Sequence, residues 1–454
     1  MRSDDATTTR PLPSRRAILG GAAALASSAL LGGCTPGVLA GPEAIKLNTT
    51  PNAANPRSLN LRRNATETIA IPEWTTASSE AWQAPVAYNL AAVGTSAVTI
   101  KAKLRAFEVF EDGTNAPWTG QAPVRAVGGG ILGDLDEVRV DFVDGVSTPE
   151  YISFTAAGHS LGSSGVRGVA MEDIVWTWQV QRPGDVVLVD VGSTHHRVYS
   201  VYRKPREPWD NTPGSAQNAW TEALDLACSI GGGVGMSDDL DEICCALAGL
   251  FNAGGGFCDT VNGSPSTTAG ALMYDTAATS PHYSWSTHVE LGAFLERCRG
   301  GAGNGPLVNC SDCAALFSTL ANLLGANLWQ GQVFTGLVMP VMPIGCGQWW
   351  QPSTGYVSAS GVHPSRTLAF HEIAWKGDVL LGNLVWDVCY LVNGVADPAN
   401  PNAGHPSTRI IAYPWGIPFS GAAGALDYRE MLSDPGNVVN CVPDVPSKVR
   451  RIPI

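Results

Sequence analysis

Two hydrophobic periods divide this chain. From about Asn64 to Pro205, apolar residues alternate with polar ones: Val98, Ile100, Ala102 and Leu104 against Thr99, Lys101, Lys103 and Arg105, then Val138, Val140 and Phe142 against Arg139 and Asp141. Trp176, Trp178 and Val180 keep this period, as does the run from His196 to Tyr202. A period of two belongs to a half-buried strand. Short strands parted by Gly, Pro and Asp turns predict an all-β immunoglobulin-like sandwich over residues 64–205. At Pro205-Arg206-Glu207-Pro208-Trp209, read as a Pro-bounded hinge, the period lengthens. Trp220, Leu224, Ala227 and Cys228 recur at helical spacing, as do Leu291, Phe294, Leu295 and Cys298. Ser237 with Asp238, Asp239 and Asp241 starts another helix carrying Ile243, Leu247 and Leu250. Strand-like flanks return around His371 and Asp387, so residues 208–454 read as a second, α+β domain. The chain is multidomain on this reading, as its 454 residues also suggest.

The N-terminus fixes where the protein works. Ser14-Arg15-Arg16-Ala17-Ile18-Leu19 resembles a twin-arginine export signal, followed by an uncharged Ala/Gly/Leu stretch too short and too weakly apolar to span a membrane. It ends in Leu31-Gly32-Gly33-Cys34, which is similar to a bacterial lipobox. Residues 1–34 are thus expected to be a signal peptide with its lipobox, with Arg15 and Arg16 read by the export machinery and Cys34 carrying the lipid that joins the protein to a membrane. The alternatives are an ordinary soluble cleavage site and a retained anchor. In each case the protein leaves the cytoplasm for the cell envelope. Residues 35–63, rich in Pro, Asn, Gly and Thr, read as a flexible tether. Net charge is −12, and losing residues 1–33 removes four arginines and two aspartates to leave −14. No basic cluster remains in the mature part, which argues against nucleic acid as a partner.

Eleven cysteines are present: Cys34, then none until Cys228, then ten to Cys441. Setting aside Cys34 and Cys310 leaves nine, so at least one is unpaired, and disulfides involving Cys258, Cys298, Cys346 or Cys441 suit an oxidising compartment. Cys310 follows a loop and begins an apolar stripe of Ala314, Phe317, Ala321 and Leu324. Its sulfur therefore sits at a helix N-terminus, where unpaired N–H groups favour a thiolate. Further on, Lys376-Gly377-Asp378 and Gly382-Asn383 supply turn residues, and an antiparallel hairpin centred near Val379 sets His371 opposite Asp387. A nucleophile, a base and an orienting acid are the parts of acyl-transfer chemistry.

Other readings compete. Cys310-x-x-Cys313 would suit a redox pair or half a zinc site, but no second pair at ligand spacing accompanies it. Gly158-His159-Ser160-Leu161-Gly162 satisfies the nucleophile-elbow pattern of serine hydrolases, yet strands flank it, so it reads as a β-hairpin loop. Asp312 reads as a helix cap, Cys244-Cys245 as core, Trp285 as a core residue rather than a second oxyanion donor, and His195-His196 as weak evidence for metal.

The run Asn309-Cys310-Ser311-Asp312-Cys313-Ala314, with Leu324-Gly325 after the cysteine and then His371 and Asp387, resembles the transglutaminase-like superfamily, which is papain-related, over roughly residues 208–400. The family often carries an aromatic two residues after its histidine, whereas here Trp375 comes four later. The resemblance implies a nucleophilic Cys310, a general base and acid at His371, and Asp387 holding the imidazole tautomer. It implies a cysteine peptidase, amidase or transglutaminase-type acyltransferase acting on a peptide or protein substrate, with no cofactor and no metal. A non-catalytic envelope scaffold is the alternative of a different class.

Overall fold

The computed structural model describes residues 37–48, 56–69, 73–94, 96–230, 239–252, 272–275, 280–334, 336–338, 341–344, 366–368, 370–392, 416–421, 427–433 and 438–454. Arg15, Arg16 and Cys34 lie outside these residues, as do Cys258 and Cys346. The described chain is mostly β, with one large mixed sheet and few helices. No described helix is long and apolar enough to cross a membrane.

The alternating segments of the first half become strands of one eleven-stranded sheet. Its path runs Trp74–Thr75, Gly37–Lys46, Val98–Val109, Val146–Thr148, Leu135–Val143, Gly120–Gly128, Ala170–Gln181, Leu188–Val201 and Pro85–Asn89. Only the last pairing along it is parallel. The sandwich expectation supposes two separately bonded sheets, and the difference lies in Val98–Val109. This strand is twelve residues long, enough to bond Gly37–Lys46 along one edge and Ile152–Ala156, Val146–Thr148 and Asn115–Pro117 along the other. The sheet folds round on its apolar face. Phe154 meets Trp178 edge-on at 5.3 Å, and Trp74, at one end of the path, lies 6.2 Å from His196 near the other. His196 is enclosed by Trp74 and Trp176, bonded through Nε2 to Thr194 Oγ1, and lowered by burial to about 3. It is a neutral core residue, while His195 faces outward on the alternate side of the strand.

The expected tether is corrected here. Gly37–Lys46 is a ten-residue strand, and Val38, Ala40, Ala44 and Ile45 are buried. Its Pro and Gly content misleads because the ladder skips one residue between Pro42 and Ala44, a bulge that accommodates the proline. The skipped residue, Glu43, reaches Arg105 at 2.7 Å and Lys103 at 3.5 Å. Residues 56–69 are also tied down: Leu59 belongs to the core of the second half, and Leu61–Arg62 pairs with Ala219–Trp220.

In the second half the helices Thr221–Ala227, Asp239–Asn252, Leu291–Cys298 and Cys310–Leu323 precede an antiparallel sheet ordered Ile417–Pro418, Leu384–Trp386, His371–Lys376, Leu328–Phe334, Val442–Val449. All fourteen residues of Cys310–Leu323 are buried, so the helix is packed on every side rather than along one stripe. It ends in a Schellman motif: Ala326 N–H donates to Ala321 O and Gly325 N–H to Asn322 O, each at 3.1 Å. Gly325 has φ +100°, and a Cβ there would lie 2.6 Å from Arg203 Cβ, which accounts physically for Leu-Gly at this spacing. The expected hinge is strapped to the same helix end. Arg206 N–H donates to Asn322 O at 2.9 Å, Asn322 Nδ2 to Glu207 O at 2.8 Å, and Trp209 Nε1 to Thr319 O at 2.8 Å.

Candidate active site

Cys310 is the first residue of its helix, and the turn before it is held by a reciprocal cap. Asn309 Oδ1 accepts from Asp312 N–H at 3.1 Å, and Asp312 Oδ2 accepts from Asn309 N–H at 2.9 Å. The fully buried Asp312 carboxylate does more than cap. It accepts the backbone N–H of His282 at 2.9 Å and those of Tyr283 and Ser284 at 2.7 Å, and the Ser284 hydroxyl at 3.0 Å. A capping role for Asp312 is legible in Asn-x-x-Asp; its organisation of residues 282–284 is not.

His371 opens the strand His371–Lys376 opposite Val333 and is fully buried. Its Nε2 lies 2.8 Å from Asp387 Oδ2, and Cys310 is near enough to act with Asp387 on the charge of the ring. The structure therefore brings Cys310, His371 and Asp387 together. The hairpin register differs from the expected one: Ala374 pairs with Trp386 and Trp375 with Val385, so the centre falls at Leu380. Continued along both strands, this register sets Ile373 opposite Asp387. His371 and Asp387 are therefore diagonal neighbours on one face rather than directly opposed, still within reach of each other. The one-residue offset leaves the pleat parity intact.

Asp387 has two further partners. Tyr428, on the short helix Tyr428–Leu432, donates its hydroxyl to Oδ2 at 2.9 Å, and the backbone N–H of Cys389 donates to Oδ1 at 3.0 Å. Tyr428 has no sequence signal, being 41 residues from its partner. Burial disfavours the imidazolium, but the Asp387 charge and hydrogen bond, with Cys310 added, outweigh it and push His371 up to about 10. The folded value lies above the unfolded one, so the stability it contributes is full below about 6.5. That contribution is lost as pH rises through about 10.

Cys313 turns toward Cys389 rather than acting beside Cys310. The bond to Cys389 favours its thiolate, but burial and the neighbouring Asp312, Cys310 and Asp387 oppose it, and the thiol ends above its ordinary range. Cys228, Cys244, Cys245, Cys298, Cys310, Cys313, Cys389 and Cys441 are buried thiols, none of them joined in a disulfide. His371, Asp387 and Cys389 present ligand-type atoms within 4.8 Å of one another. Ligand atoms on a tetrahedral zinc stand about 3.3 Å apart, whereas the 2.8 Å between His371 and Asp387 is a hydrogen-bond distance.

The remaining sequence candidates fall elsewhere. Ser160 is exposed on a loop between Ile152–Ala156 and Ala170–Gln181, strands that do not pair with each other, so the loop is not the expected hairpin. His159 Nε2 is bound to Ser96 O at 2.9 Å. Trp285, expected in the core, is 47% exposed and donates its indole N–H to Glu290 at 2.9 Å. His282 pairs with Asp275 at 3.0 Å.

No protein-family model matches the chain, and no curated protein matches it in sequence.

Proposed function

We propose that this protein is an exported cysteine enzyme of transglutaminase-like, papain-related type, with an all-β accessory domain, acting on amide bonds of peptides or proteins. The observation that carries the reading is the buried line from Cys310 through His371 to Asp387, with 2.8 Å between imidazole and carboxylate. Three such groups meet rarely without use, since burying a charged histidine and an aspartate otherwise costs stability.

In the mechanism, the Cys310 thiolate attacks an amide carbonyl carbon. As the first residue of its helix, Cys310 has a backbone N–H without an intrahelical acceptor, suited to bond the developing oxyanion. The C–N bond breaks, His371 gives its proton to the departing amine, and an acyl thioester forms on Sγ. Water or a second amine then attacks the thioester, losing its proton to His371, and the C–S bond breaks to restore the Cys310 thiolate and the His371 imidazolium. Asp387 keeps Nε2 engaged throughout, so proton exchange with the thiol runs through Nδ1. No metal or organic cofactor enters any step.

Gly37 already belongs to a sheet strand, so a lipid on Cys34 would hold the β domain directly against the membrane surface rather than on a long tether.

A pooled peptide-amide library tests the activity. Wild-type protein is expected to release amine or exchanged product, and Cys310→Ala to release none. Equal turnover by both proteins would place the chemistry elsewhere.

A further inference from the structure

Behind the cysteine and histidine lies a buried polar set that the steps above leave unused. Ser311, directly after Cys310, donates its hydroxyl to Glu372 Oε2 at 2.8 Å, and Glu372 directly follows His371. The start of the helix thus meets the start of the strand at two successive residues, Ser311 bonded to Glu372 and Cys310 close to His371. Arg451 closes on the same carboxylate, with Nη1 on Oε1 and Nη2 donating to Oε2 at 3.2 Å. Nη1 also donates to Gln330 Oε1 at 2.8 Å, Gln330 Nε2 to Ser318 Oγ at 2.7 Å, and Ser318 Oγ to Ala314 O at 2.7 Å, back on the cysteine helix. Arg451 Nε donates to Trp285 O. Every one of these polar side chains is buried: Ser311, Ser318, Gln330, Glu372 and Arg451.

An ion pair at this depth adds little net stability, because desolvation offsets the attraction; fixing one arrangement is its better-attested use. The geometry here names that arrangement. A hydrogen bond between the residue after the nucleophile and the residue after the base sets the distance between nucleophile and base.

We propose that Ser311, Glu372 and Arg451 are positioning residues that set the separation of Cys310 and His371. This rests on the catalytic reading above. The test is the rate of iodoacetamide alkylation of Cys310 in the full chain, read by mass spectrometry from pH 5 to 8, with the unfolding midpoint measured on each variant. Ser311→Ala is expected to slow labelling about tenfold at pH 6, the loss of one hydrogen bond to a charged group. Ser311→Thr, which keeps the hydroxyl, should stay within about threefold of wild type. Arg451→Met should also slow labelling, by releasing the Glu372 carboxylate on which Ser311 is held; if that variant does not fold, the Ser311 pair decides alone. A wild-type profile for Ser311→Ala overturns the proposal, as does equal slowing in Ser311→Ala and Ser311→Thr. Failure of the catalytic reading looks different: wild-type labelling would then be indifferent to His371→Ala with Ser311 intact.

Discussion

Replacing His371 by Ala should slow alkylation of Cys310 at pH 6 by about a hundredfold, the range separating an activated thiol from an ordinary one. The imidazolium is the positive charge set beside Cys310. Asp387→Ala should slow labelling less, because it removes the orienting partner but leaves the ring. Cys313 should label after Cys310 in the wild type, since burial and three negative neighbours outweigh its bond to Cys389. Mass spectrometry of the non-denatured protein reads both sites in one experiment. Alkylation of Cys310 that is slow and unchanged in His371→Ala would favour a scaffold with an inert cysteine. The same variant has a stability signature. The wild-type advantage over His371→Ala should be largest below about pH 6.5 and decline toward about pH 10, measurable as urea midpoints across that range.

Asp312→Ala should be the most damaging single change to the fold near the site, costing about 3–5 kcal/mol by urea denaturation. Its carboxylate takes hydrogen bonds from His282, Tyr283, Ser284 and Asn309, and an alanine would leave those buried donors without partners. Asp312→Asn, which keeps one acceptor oxygen, should lose less. A cost within about 1 kcal/mol for Asp312→Ala would mean that water replaces the carboxylate and that the loop does not depend on it.

The residues of the candidate site were legible because their chemistry leaves local marks. A helix-start cysteine shows in the apolar run that follows it, and Gly325 shows because only glycine fits its backbone angle against Arg203. Strand alternation likewise announced the β half. What stayed hidden depends on contacts far apart in the chain. Tyr428 and Arg451 reach the site from the C-terminal segments, and nothing in their flanking residues distinguishes them from any other Tyr or Arg. Gly37–Lys46 was misread as a tether because a proline at a bulge looks, locally, like a proline in a linker. Continuity of the large sheet was equally illegible, since periodicity gives the face a residue occupies but not which strand lies beside it.

Trapping the covalent intermediate puts the catalytic proposal to its most direct test. Wild-type protein mixed with the peptide-amide pool, quenched in acid and digested, should show an acyl adduct on the Cys310 peptide that hydroxylamine removes and that Cys310→Ala lacks. Product formed without any adduct on Cys310, or an adduct found on Ser160, would contradict it.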